Sequence, residues 1–217
     1  MEEDARGNGG DIRISTGSLS ATNAYLNTGT NGEGKAGNII IDALNDITFN
    51  RSNVSTRSNI SAKDRGGNIR INSGSLSATE TSLDTSTGGE GDAGSLIINV
   101  RDKISFNDSV ITSDSSTRGK GGDINITSNF LSMKETTVAN STSGEGNAGN
   151  VIFNVRDGIT FDTSNINSGT LDKGKGGNIS IFSDSLSLRE TVVQSTTSIT
   201  GDAGSININE CKTACIS

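Results

Sequence analysis

The sequence predicts an all-β fold, a single-stranded, right-handed parallel β-helix (β-solenoid) of about 7–8 coils of 27–30 residues. Three observations predict it. A Gly-Gly or Ala-Gly doublet recurs at near-constant spacing, an apolar pair follows every doublet, and the composition is too polar to fill a compact two-layer core.

Only 30% of the 217 residues are hydrophobic and 3% aromatic; glycine numbers 28, and proline and histidine are absent. Scattered along the chain, so little apolar material would leave it disordered. Here it recurs at fixed places. The second glycine of the doublet falls at Gly10, Gly37, Gly67, Gly94, Gly122, Gly149, Gly177 and Gly204, with successive spacings of 27, 30, 27, 28, 27, 28 and 27. Seven full units and the start of an eighth thus occupy residues 1–209, read as one solenoid domain. Residues 210–217 depart from the pattern and are expected to be a non-repeat tail.

Each unit opens with a strand. The residue after every doublet is Asp, Asn or Ser, which is turn chemistry ahead of a strand. One residue further stand Ile12, Ile39, Ile69, Leu96, Ile124, Val151, Ile179 and Ile206. Two beyond those stand Ile14, Ile41, Ile71, Ile98, Ile126, Phe153, Ile181 and Ile208. Residues two apart on a strand share a face, and most of these are β-branched.

Units then alternate in kind. Odd units continue through a leucine (Leu19, Leu76, Leu131, Leu186) and then Leu26, Leu83, Val138 or Val193. Even units carry an Ile-x-Phe pair (Ile47 and Phe49, Ile104 and Phe106, Ile159 and Phe161), followed by Val54, Ile111 or Ile166. Each unit offers about three short strands separated by polar corners, and the true period is a pair of units. One unit cannot bury its own apolar residues, but stacked units bury them in a continuous column. Eight rungs at about 4.8 Å each make a rod roughly 35–40 Å long. A helical repeat fails because glycine and β-branched residues dominate and no 3.6-residue period appears. The right hand follows from the usual chirality of parallel crossovers.

A charge column tests the stacking. Four residues before the second glycine stand Glu33, Lys63, Glu90, Arg118, Glu145, Lys173 and Thr200, alternating in sign until the last. Two residues before it stand Lys35, Arg65, Asp92, Lys120, Asn147, Lys175 and Asp202, a looser version. Stacked in register, unlike charges become neighbours and a one-unit slip is penalised. A column of Thr30, Thr87, Thr142 and Thr197 in the odd units lies four residues after the third-strand apolar residue. Even spacing turns it inward, predicting buried hydroxyls rather than an ice-binding face.

Most chemistry is excluded. The net charge of −7, with both signs interspersed, argues against a nucleic-acid partner. No apolar run is long enough for a membrane span, and residues 1–6 lack the apolar stretch of a signal peptide. Without histidine, the usual triads and most zinc sites fail. Cys211 and Cys215, the only cysteines, form no disulfide framework. The Gly88–Gly94 stretch lacks a Walker Lys-Ser/Thr ending, and calcium-binding β-rolls need a nine-residue repeat. A polysaccharide-cleaving β-helix would need clustered carboxylates on irregular loops, and no long insertion interrupts the repeat. We therefore expect no enzyme, and assign no catalytic, cofactor-binding or metal-binding residue and no cofactor.

Lys175–Ile181, Ser185–Leu188 and Gly144–Val151 carry a consensus that resembles the repeats of filamentous-haemagglutinin-like exoproteins, especially the long cyanobacterial ones. The resemblance covers about residues 7–209. It implies a right-handed β-helix exported by two-partner secretion, with a role in adhesion, aggregation or surface display, and it brings no catalytic residues. That family's N-terminal secretion domain is not among these residues, so a piece of a longer protein is expected. The expected function is a non-enzymatic, adhesin-type structural segment, extracellular or at the outer cell surface. A carbohydrate-binding or polysaccharide-processing β-helix is the alternative. Expected partners are a cell-surface glycan or protein receptor, an outer-membrane two-partner secretion transporter, and further copies of the chain stacked end to end, since bare final rungs invite association.

Overall fold

The computed structural model describes residues 7–59 and 65–216, with side chains to Asn209. The described residues form nineteen strands and no helix. Counting a coil from each glycine doublet, coil one holds β1 (Ile12–Thr16), β2 (Leu19–Thr22) and β3 (Tyr25–Asn27). Coil two holds β4 (Ile39–Ala43), β5 (Asp46–Asn50) and β6 (Asn53–Ser55). Coil three holds β7 (Ile69–Ser73), β8 (Ser75–Thr79) and β9 (Ser82–Asp84), and coil four β10 (Leu96–Val100), β11 (Lys103–Asn107) and β12 (Val110–Thr112). From coil five the first two strands merge. These coils hold β13 (Ile124–Lys134) with β14 (Thr137–Ala139), β15 (Val151–Asp162) with β16 (Asn165–Asn167), and β17 (Ile179–Arg189) with β18 (Val192–Gln194). Coil eight is the single strand β19 (Ile206–Ile216).

Every pairing is parallel and joins equivalent residues of successive coils: Ile12 to Ile39 to Ile69 to Leu96 to Ile124 to Val151 to Ile179 to Ile206. The predicted β-solenoid is therefore present, with three strand ladders. The first two are one twelve-stranded sheet because the long strands bridge them, and the third is a seven-stranded sheet. A fourth ladder of single bridges runs Ser58–Thr87–Ser115–Thr142–Thr170–Thr197. The sequence pattern lapses after Asn209, yet the backbone does not: residues 210–216, expected as a non-repeat tail, continue β19 and pair with β17 as far as Leu188 opposite Ile216. Backbone hydrogen bonding is indifferent to side chains, so a rung extends where its apolar code stops. The side chains of Cys211 and Cys215 lie outside the described residues.

The core is one seam. Ile39, Ile69, Leu96, Ile124, Val151 and Ile179 are each 0% exposed, and the second- and third-face residues Ile104, Phe161, Val54, Ile111 and Ile166 are as buried. Within coil six, Phe153 and Phe161 meet edge to face at 5.2 Å, joining the first face to the second.

Two corner devices set the coil. Between the third and first faces, a small polar residue is tied to the glycine doublet. Thr85 donates its hydroxyl to the Gly94 carbonyl at 2.8 Å while Gly94 N–H donates to the Thr85 carbonyl at 2.9 Å. Thr28 with Gly37 and Thr56 with Gly67 repeat the hydroxyl bond, whereas Ser113, Ser168 and Ser195 donate instead to the doublet glycine that opens their own coil, Gly94, Gly149 and Gly177. The corner is tight enough to exclude any side chain: a Cβ on Gly122 would overlap both the Gly94 carbonyl and the Ser113 hydroxyl. Between the second and third faces, seven coils in succession place a non-glycine residue in the left-handed region: Asn23, Arg51, Glu80, Asp108, Glu135, Thr163 and Glu190, at φ 46–52°. In six of them the next residue is Ser or Thr, whose hydroxyl bonds back to the carbonyl two residues earlier, as Ser109 does to Asn107 at 2.9 Å. That local bond steadies a backbone conformation that costs roughly 1 kcal/mol.

Candidate functional site

The columns chosen from sequence come first. The residue after the doublet, read as turn chemistry, does more than start a strand. Asn38 donates its backbone N–H to Asp11 Oδ1 at 2.8 Å, Asn68 to Asn38 Oδ1 at 3.0 Å, and Ser95 to Asn68 Oδ1 at 2.8 Å. The ladder resumes from Asp123 through Asn150 and Asn178 to Ser205. Sequence periodicity shows the column, but only stacking shows that its members bond to each other. The predicted charge columns also meet. Glu145 pairs with Arg118 at 3.8 Å and with Lys173 at 3.6 Å, Arg65 with Asp92 at 3.2 Å, and Lys175 with Asp202 at 3.7 Å. Lys63 lies outside the described residues. These pairs are exposed, so they set register more than they add stability. The threonine column points inward as expected, with Thr87 and Thr142 buried; Ser58, Ser115 and Thr170 fill the even coils that the sequence reading left blank.

Several outward residues break the repetition, and one of them, Phe130, borders a groove. On the second face, Lys103, Phe130 and Gly158 are register partners in coils four to six, and Ser105, Ser132, Thr160 and Ser187 form the next outward row. Phe130 is 51% exposed on an otherwise hydroxyl-rich surface. Its ring lies along the stack over Gly158, with ring carbons 3.7 and 4.0 Å from where a Cβ would stand. A Cβ at Gly158 would touch the ring at ordinary van der Waals distance and would crowd the Ser185 hydroxyl at 3.0 Å. The result is a shallow groove of about 630 Å³ lined by Lys103, Phe130, Ser132, Thr160, Ser185 and Ser187.

The backbone above it is distorted. Ser128 faces Val155 and Phe130 faces Gly158, so β15 carries an extra residue at this corner. The bulge throws out Arg156 and Asp157, which form a two-point ion pair at 2.9 and 3.0 Å. This pairing holds the Arg156 guanidinium above its ordinary pKa, the hydrogen bond to Asp157 being the main cause. Ser185 Oγ donates to the Asp157 carbonyl at 3.2 Å, and both Asn129 and Phe130 donate N–H to the Asp102 carbonyl. The groove thus offers an aromatic shelf, several hydroxyls and one free-reaching lysine beside a charged rim. Such a surface suits a flat, polyhydroxylated ligand that stacks on a ring and exchanges hydrogen bonds at its edges.

Sequence reading named no site residue and passed over Phe130. The signal was present: Phe130 occupies the column held by Ser18, Ser75 and Ser185 in the other odd coils. A lone aromatic in a serine column has no packing reason to be there. Among the described residues, no three metal-ligating side chains cluster, and no helix is long and apolar enough to cross a membrane. Compared with protein-family models, curated proteins and solved structures, the chain matches none. The molecule is thus identified by its architecture, an all-β solenoid of parallel stacked coils.

Proposed function

We propose that this solenoid is a non-enzymatic, adhesin-type segment of a secreted or surface-exposed protein of the filamentous-haemagglutinin-like kind. Unbroken stacking from β1 to β19 supports this reading. A backbone paired coil to coil through the described residues resists bending and holds any surface group at a fixed distance from its anchor. Outward positions on the ladders are mostly small and polar, so the rod presents long hydrated faces. Export by a two-partner secretion transporter belongs to the same proposal and rests on the repeat consensus.

The Phe130 groove favours a glycan as the receptor, which joins the adhesin reading to that of a carbohydrate-binding β-helix. A glycan array probed with the whole chain tests this. The parent should bind a subset of neutral glycans, and Phe130→Ser, which restores the column's usual residue, should lose at least tenfold in affinity with an unchanged melting temperature. Equal binding by both proteins, or shortening of an offered polysaccharide, would refute this reading.

A further inference from the structure

The groove beside Phe130 is longer than it is wide, and its long direction is the rod axis. Its lining comes from four successive coils: Lys103 from coil four, Phe130 and Ser132 from coil five, Thr160 from coil six, and Ser185 and Ser187 from coil seven. Three coil steps of about 4.8 Å give it a length of roughly 14 Å. Across the axis the lining is two outward columns, two residues apart on each strand and so roughly 7 Å from each other.

Charged side chains border both long sides. On the corner side stands the Arg156–Asp157 ion pair. On the other side, two residues beyond Ser132, Thr160 and Ser187, stand Lys134, Asp162 and Arg189 in register, the last two paired with each other. The side chains of Lys134, Arg156 and Arg189 are each more than half exposed. A ligand laid across the coils would run into one of these borders, whereas a ligand laid along them lies between the two. Along that path Ser132, Thr160 and Ser187 offer one hydroxyl per coil. Among the described residues none of these three hydroxyls has a protein hydrogen-bond partner, while the neighbouring Ser185 hydroxyl is committed to the Asp157 carbonyl.

This spacing selects the shape of the ligand. Pyranose rings joined through equatorial bonds at opposite carbons form a straight ribbon, advancing by nearly one coil step per ring and carrying hydroxyls along both edges. With one ring against Phe130, each following ring reaches the hydroxyl of the next coil. Chains with an axial linkage curl away from a straight row within a few rings.

We propose that the Phe130 groove binds a linear, equatorially linked polysaccharide laid parallel to the rod axis, with one ring on Phe130 and the next two over Thr160 and Ser187. Lys103 donates to the first ring from the coil-four end. This inference rests on the glycan reading of the groove and adds the linkage and direction of the chain.

Titration calorimetry of the whole chain with oligosaccharides of one to six rings tests it. The straight probes are β-1,4-linked glucose, mannose and N-acetylglucosamine; α-1,4-linked glucose of the same lengths is the bent comparison. In at least one straight series the affinity should rise at least tenfold between one ring and three, and the bent series should show no such rise. Ser187→Arg, which fills the coil-seven end, should return the three-ring affinity to that of two rings and leave the two-ring affinity unchanged. Asn154→Arg, exposed on the first face, should bind like the parent. An unchanged melting temperature shows that the variants are folded; should Ser187→Arg lower it, Ser187→Gln replaces it at the same position. If an array glycan binds but no straight series does, or if affinity is independent of chain length, or if the bent series binds equally well, the axial chain is overturned and the glycan reading stands. Binding of no probe and of no array glycan overturns both.

Discussion

Asp114 is the residue at which burial and charge conflict most plainly. It lies partly buried on the third face, where it accepts the Ser141 N–H at 2.5 Å. Loss of water pushes its carboxyl above its ordinary pKa and the nearby Asp84 adds to the rise, while the Ser141 amide and Arg57 oppose it. The folded state therefore holds the Asp114 proton more tightly than the unfolded chain does. Its ionised form costs stability at neutral pH, and that cost disappears as pH falls from the raised folded value towards the ordinary one. Asp114→Asn keeps an acceptor for Ser141 without the charge. It should raise the melting temperature at pH 7, and the gain over the parent should shrink on acidification. A gain that grows towards acid pH would contradict this assignment. The left-handed corner residues show the other residue-scale tension. Thr163, β-branched at φ 51°, sits where its own sterics are poorest, and the Ser164 hydroxyl bond to the Asp162 carbonyl at 3.0 Å helps to hold it there.

At the scale of the element, what distinguishes the interior hydroxyls is whether they find a partner. Thr85 donates to Gly94 and fastens the third face to the doublet corner. Ser115, in the neighbouring hydroxyl ladder, is 0% exposed and its hydroxyl has no hydrogen-bond partner. A satisfied buried hydroxyl contributes about 1 kcal/mol, whereas an unsatisfied one costs desolvation without return. Thr85→Val should therefore lower stability by about 1–2 kcal/mol and Ser115→Ala should leave it unchanged or raise it, read from urea unfolding midpoints at constant m-value. The same shape of residue in adjacent ladders would thus have opposite effects. From coil five on, the first two strands run into one across a register shift at the corner.

At the scale of the whole molecule, stability is close to a sum of coils and their contacts. Removing residues 68–122 takes out two whole units, one of each kind, and joins Gly67 to Asp123 in the native frame. That shortened rod should fold with a cooperative melt, while removing 68–108 should not, because it brings a third-strand segment against a first-strand corner. Equal β-sheet circular dichroism and equal melting for the two deletions would refute the register. Much of this frame was legible in advance. The glycine doublet, the paired isoleucines and the alternation of Leu with Ile-x-Phe coils are local regularities, and each maps directly onto a ladder. The Phe130 groove was harder to see because it is an exception: its meaning depends on Gly158, 28 residues away in sequence yet adjacent in the stack.

The sequence by itself determined the number of coils, the inward-facing residues and the pairing register. Period-two apolar spacing and a 27-residue repeat admit few other ways to remove those side chains from water. Only the tertiary structure decided that the post-doublet Asn and Asp residues bond up the stack and that a left-handed corner recurs in seven coils. It also decided that the Phe130 ring comes to rest beside Gly158 of the next coil. Each of these depends on which atoms of different coils come within hydrogen-bonding or van der Waals reach. Periodicity fixes which residues are equivalent; distance between equivalents exists only once the coils are stacked.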